Sequence, residues 1–252
     1  MVISDEDRQW LIKTFLGLNI GSSENGYIIT GCLEFSAAFD ELGKEYRINP
    51  SEEDSLRLIC IDDKYEIKIQ IFHDENKYPQ VWETNKRITR QAQKHGLNIF
   101  DLHIYKSGEV CLVGPFDMNS NLAFREFING PVIQFFYDQS YFERFGRWPR
   151  GQYSHGIFGL FENFHDHIST LSDNLVLDCL QHMARQSNWS QFIDYIVLKE
   201  RVQGHVDCPC GSKKIFRDCH QGAFRGLWNL QKYIKDNPKV IDTFLNSSKK
   251  PD

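Results

Sequence analysis

Three of the seven cysteines, Cys208, Cys210 and Cys219, crowd with His220 into the stretch Cys208-Pro209-Cys210-Gly211-Ser212-Lys213-Lys214-Ile215-Phe216-Arg217-Asp218-Cys219-His220. Three soft thiolates and one imidazole are the donor set of a tetrahedral Zn2+ site. Four protein donors leave no open coordination position, so the spacing predicts a structural ion and not a catalytic one. Gly211 and Ser212 permit the tight turn that aims Cys208 and Cys210 at one ion, and Lys213, Lys214 and Arg217 offset the charge of three thiolates. His205 competes as a ligand only weakly.

The other cysteine that can do chemistry is Cys111, in Leu102-His103-Ile104-Tyr105-Lys106-Ser107-Gly108-Glu109-Val110-Cys111-Leu112. Phe100, Leu102 and Ile104 alternate with Asp101, His103 and Tyr105, which predicts a half-buried strand with His103 on its polar side. Lys106-Ser107-Gly108 then reads as a turn. A thiol displayed there acts as a nucleophile if it is accessible and has thiolate character. Packed beside Leu112 and Val113, it is instead a small buried hydrophobe, and from spacing alone this is the commoner outcome. Cys32, Cys60 and Cys179 sit in strand or helix patterns that suit burial. His155, His165 and His167 read as hydrogen-bonded histidines outside any metal site.

The elements that must position these residues follow from periodicity. Ser4 caps a helix over residues 4 to 18 with Leu11, Phe15 and Leu18 on one face. Strands are predicted for Tyr27 to Phe35, for Leu56 to Ile61, for Tyr65 to Ile71 with the cleanest period of two, and for Tyr78 to Thr84. Beyond Cys111, Asn121 caps a helix through Asn129, and Gly130-Pro131 separates it from a second helix ending near Phe145. Val176, Leu180 and Met183 mark a further helix, Asn188 and Gln191 resemble a capping box, and helices around Leu227, Leu230 and Ile234 and after Pro238 close the chain.

With 252 residues, 41% of them hydrophobic, the chain suits a soluble protein with a sizeable core. It has no apolar run of membrane-spanning length and opens on Asp5, Glu6 and Asp7, not on the basic start of a signal peptide, so a cytoplasmic protein is expected. The formal charge of −5 is uneven: residues 199–252 hold eleven Lys or Arg against six Asp or Glu, which leaves the preceding 198 at −10. An acidic body argues against nucleic acid as the partner, although the basic tail can touch phosphate.

The tail from Cys208 to His220 resembles the SEC-C motif, a zinc-binding module that ends the secretory ATPase and many other bacterial proteins. The resemblance implies a zinc knuckle that docks partners. The rest of the chain is similar to the ubiquitin-conjugating fold, most of all in its prokaryotic branch. The carrying residues are Tyr78-Pro79, then His103, Gly108, Cys111 and Leu112, then Trp148-Pro149 and His155-Gly156. The expected fold is α+β, a UBC-like antiparallel sheet flanked by helices. The expected domains are a ubiquitin-conjugating-like domain over 1–165, a helical linker over 166–204, and the zinc motif with C-terminal helices over 205–252.

The family resemblance implies that Cys111 carries the C-terminus of another protein as a thioester and passes it to an amine. His103 matches the histidine of prokaryotic relatives and would orient the loop or donate a hydrogen bond. The chain lacks the His-Pro-Asn tripeptide of eukaryotic members, so the resemblance supplies no oxyanion donor, and Asp117 reads as a solvated loop residue. No Gly-rich nucleotide loop follows a strand, so an activating enzyme is expected in trans. Similar bacterial proteins of antiphage defence carry a ubiquitin-like protein or the C-terminus of a cyclic-oligonucleotide synthase, a nucleotidyltransferase. The alternative is a catalytically inactive adaptor of the same fold that recruits partners through its zinc motif.

Overall fold

The computed structural model describes residues 1–43, 45–74, 77–97, 99–105, 107–112, 122–149, 154, 156–170, 172–186 and 188–247. They form two compact units around separate hydrophobic cores, one from the residues up to 149 and one from residue 154 onward. The first is α+β, an antiparallel sheet with flanking helices, and the second is helical. No helix among the described residues is long and apolar enough to cross a membrane.

The first unit opens with α1 (Asp5–Thr14), where the Ser4 hydroxyl accepts from the Asp7 N–H and the Asp7 carboxylate accepts from the Ser4 N–H. The helix stops at Thr14 and does not reach residue 18. Leu18 instead opens β1 (Leu18–Ser23), because the Gly17 carbonyl takes the Cys32 N–H at 2.9 Å and draws the chain into the sheet. The strands β2 (Gly26–Asp40), β3 (Glu45–Ile48), β4 (Ile59–Phe72) and β5 (Gln80–Glu83) complete it in the order β1-β2-β4-β5, with β3 paired to the end of β2.

On β4 the period of two is real, since Ile61, Tyr65, Ile67, Ile69 and Ile71 are all buried. Leu56, expected in a strand, lies in α2 (Glu52–Arg57) and is exposed. Ser51 and Asp54 form a capping box there, and this local hydrogen bonding outweighs a short apolar run.

The core face of the sheet is covered by α4 (Phe124–Phe127) and α5 (Ile133–Phe145), which bury Phe127, Ile133 and Phe136, the last 4.7 Å from the Tyr65 ring. Gly130-Pro131 does not separate two helices. A wider π-helical turn, Ile128–Val132, carries the chain through, since proline has no N–H for a regular helical bond. The sequence pattern gives no hint of α3 (Arg87–His95). Arg87 at its start bonds both oxygens of Asp63 on β4 and reaches Glu143 on α5. Burial raises the Asp63 carboxyl, but the bonds from Arg87 and Ser140 outweigh it and hold the group below the usual range.

In the second unit, α6 (Ile157–Asp166), α7 (Asp173–Ala184), α8 (Ile193–Ile196), α9 (Phe216–Cys219), α10 (Gln221–Asp236) and α11 (Pro238–Ser247) share one core. Phe161 and Phe164, Leu180 and Met183, and Leu227 and Leu230 all bury within it. The division of the chain therefore falls before α6 and not after residue 165, and residues 166–204 contribute core side chains instead of forming a linker. Gly226 lets α10 meet α6 almost backbone to backbone, since a Cβ there would lie 1.8 Å from the Phe161 carbonyl oxygen. Asn188 makes no side-chain cap, and Trp189–Gln191 form a 3-10 turn closed through backbone groups.

Candidate functional site

The segment before Cys111 is not a strand. Ile99–Leu102 coil into a 3-10 turn, and His103 takes a left-handed conformation at φ 55° before a short two-stranded ladder. In that ladder the Tyr105 N–H donates to the Glu109 carbonyl and the Cys111 N–H to the His103 carbonyl, both at 2.8 Å, around the bridge of Ile104 with Val110. Gly108 closes the turn at φ 83°, a conformation that favours glycine. The Val110 N–H donates to the Val81 carbonyl at 2.8 Å, which adds the ladder to the edge of β5.

Two anchors fix this hairpin. The buried Gln139 amide of α5 donates to the Leu102 carbonyl at 2.9 Å, and the Gln80 amide donates to both carboxylate oxygens of Glu109. Leu102, Ile104 and Val110 point into the core, so His103, Tyr105, Glu109 and Cys111 alternate onto the outer face. The His103 ring packs edge-on against Trp148, 5.6 Å between centroids, and Trp148 stacks on Phe142. Tyr78 packs on Phe127, and Pro79 beside it is buried.

Cys111 is partly exposed, whereas Cys179 in α7 is fully buried. Burial of the sulfur pushes the Cys111 thiol above its usual range; a hydrogen bond with the Tyr105 hydroxyl opposes the rise and the Glu109 carboxylate adds to it. Cys32 and Cys60 are partly exposed, not buried as their strand pattern suggests. Asp117, Asn121 and His155 lie outside the described residues.

In the second unit, Cys208, Cys210, Cys219 and His220 offer donor atoms that all lie within 4.8 Å of one another, a cluster that can bind a metal ion. Cys208 Sγ is 3.2 Å from His220 Nδ1, and Cys210 Sγ is 3.6 Å from Cys219 Sγ. Four-coordinate zinc with Zn–S bonds of about 2.3 Å places its sulfurs roughly 3.8 Å apart, close to the 3.6 Å between Cys210 and Cys219, so the donor chemistry fits such an ion.

Local structure brings these donors together. Asp207 bridges Ile215, the Cys208 N–H donates to the Lys214 carbonyl, and Gly211 turns at φ 81°. The short α9 then delivers Cys219 and His220. The His220 ring stacks on Phe158, 4.4 Å between centroids, and Phe216 is buried, so the knuckle is seated on its own unit's core. Ser212, read in the sequence only as a turn former, places its hydroxyl 3.0 Å from Cys219 Sγ. Hydrogen bonds from Ser212 hold the Cys210 thiol below its usual range, while burial pushes Cys208 above it.

Two histidines outside the cluster are engaged elsewhere. His165 Nδ1 meets the Asn229 amide at 2.6 Å, His167 Nδ1 meets the Asn163 carbonyl at 2.9 Å, and His205 is exposed outside the cluster. Comparison with family models, with curated proteins and with solved structures finds no match to this chain. The chemistry of the two sites therefore rests on their own geometry: one sulfur presented singly at a sheet-supported hairpin, and three sulfurs with one imidazole converging on a point.

Proposed function

We propose that the protein is a ubiquitin-conjugating-like acyl carrier in which Cys111 holds the C-terminus of another protein as a thioester and transfers it to an amine. The observation that carries this reading is the outer-face placement of Cys111, paired through its backbone with His103 and touched at sulfur by the Tyr105 hydroxyl. A thiol shifted upward is a slow nucleophile toward unactivated carbonyls and a slow leaving group, which suits a carrier that is loaded from an activated donor and must not lose its cargo to water. Loading then falls to an activating enzyme in trans, with a ubiquitin-like protein or a cyclic-oligonucleotide synthase as the carried partner, the setting expected for antiphage defence.

His103 in this reading orients the hairpin through its carbonyl. In the second unit the ion is Zn2+, held by Cys208, Cys210, Cys219 and His220, and with four protein donors its role is structural, shaping a surface that docks a partner.

A peptide thioester ending in Gly-Gly, standing in for the activated C-terminus, tests the first unit. Mass spectrometry should find one acyl group on Cys111, removed by dithiothreitol and absent from Cys111→Ala. Acylation that persists unchanged in Cys111→Ala overturns the reading. The burial that raises the Cys111 thiol favours a second reading, a non-catalytic adaptor of the same fold. Alkylation of Cys111 as slow as that of the buried Cys179 in the native chain would decide for the adaptor.

A further inference from the structure

The four donors of the knuckle are not equivalent. Cys208 is buried at 3% exposure with its sulfur 3.2 Å from the His220 ring, and that ring is held by stacking on Phe158. Cys210 is exposed, Cys219 is partly exposed, and their sulfurs lie 3.6 Å apart. A peroxide approaching from solvent meets Cys210 first, with Cys219 already beside it as the resolving thiol. We propose that the Cys210–Cys219 pair is a peroxide-sensitive modification site, in which a disulfide between them displaces the bound metal while Cys208 and His220 stay in place.

The step balances without any further reactant. The Cys210 thiolate attacks one oxygen of hydrogen peroxide, giving a sulfenic acid and expelling hydroxide. The Cys219 thiolate then attacks that sulfur, forming the S–S bond and expelling a second hydroxide. Two thiolates are oxidised by two electrons, peroxide is reduced by two, and two of the four metal-binding groups are gone. The sulfurs must close from 3.6 Å to about 2.05 Å. Gly211, next to Cys210 at φ 81° and with open space where a side chain would stand, lies in the segment that gives. Phe216 and the Phe158–His220 stack lie on the core side and are not drawn into the movement.

This inference rests on the metal reading, so elemental analysis of the full chain precedes the oxidation. A chain without metal refutes the knuckle itself, whereas a loaded chain opens the test. One equivalent of hydrogen peroxide should release about one equivalent of metal to a chromophoric chelator, and non-reducing peptide mapping should find Cys210 joined to Cys219. Dithiothreitol with added Zn2+ should restore the starting metal content, and far-UV circular dichroism should barely change. Metal release with Cys208 in the disulfide, or retention of the metal at one equivalent of peroxide, overturns the proposal. Cys111→Ala must behave as the wild type, which excludes Cys111 as the peroxide-reactive thiol.

Discussion

The Cys111 hairpin and the knuckle are built from the same local device and differ in what faces it. Each is a short antiparallel ladder, Ile104 against Val110 in one and Asp207 against Ile215 in the other, closed by a glycine in the left-handed region, Gly108 and Gly211. The first ladder is sewn to β5 by the Val110–Val81 bond and to α5 by Gln139, so backbone groups already satisfy it and its one sulfur stays on the outer face. The second ladder aims Cys208 and Cys210 at the pair that α9 delivers, so its sulfurs face one another. Support from neighbouring elements leaves a cysteine single, whereas convergence gathers thiols that can bind an ion.

The largest effect that sharpens this contrast is removal of the metal. Outer-sphere partners alone are worth about 10–100-fold in metal affinity, so Cys208→Ser, which deletes a ligand, should weaken binding by more than about 100-fold. A chelator competition assay measures it. Acid acts in the same direction: thiolates must be deprotonated to bind, so any stability a bound ion contributes is present at neutral pH and lost as pH falls and the thiols protonate. At a fixed pH, Cys208→Ser should not alter the alkylation rate of Cys111. A parallel change at Cys111 would show that the two sites are not independent.

Next in size is Gly226→Ala. The added methyl would meet the Phe161 carbonyl at 1.8 Å, so α10 must move off α6, at a cost of about 2–3 kcal/mol read from the denaturation midpoint of the second unit. Metal content at saturating Zn2+ should remain near one equivalent, because the ligands lie N-terminal to this contact and are organised by their own ladder. Loss of the metal together with the packing would mean that the helical core, and not the turn chemistry, assembles the knuckle.

Much of this architecture is legible in the sequence where one principle acts without competition. The alternation from Tyr65 to Ile71 reads directly as a strand because one face is buried and the other is not. The Cys208, Cys210, Cys219 and His220 cluster that can bind a metal ion also reads directly, because its residue types and spacing bring the donors together. Legibility fails where tertiary partners override a local pattern. The alternation from Phe100 to Tyr105 looks like a strand, yet Gln139 captures the Leu102 carbonyl and His103 turns left-handed. Gly130-Pro131 looks like a break, yet a π turn absorbs the missing N–H within a packed helical run. A first domain drawn to residue 165 overshoots because the apolar face of α6 does not say in sequence which core it joins.

The smallest effect probes the sulfur of Cys111 itself. Tyr105→Phe removes only the hydroxyl that bonds the thiol and keeps the ring, so the ladder and its core contacts should persist. With that opposing hydrogen bond gone, burial and Glu109 act unchecked and the thiol titrates higher still, which lowers the thiolate fraction at a given pH. One hydrogen bond of about 0.5–1.5 kcal/mol corresponds to a few-fold slower alkylation at pH 8, with the pH–rate profile displaced to higher pH. Metal content should not change. A profile that stays in place, or moves to lower pH, would show that Tyr105 does not hold the reacting sulfur, and the hairpin would then present Cys111 by backbone geometry alone.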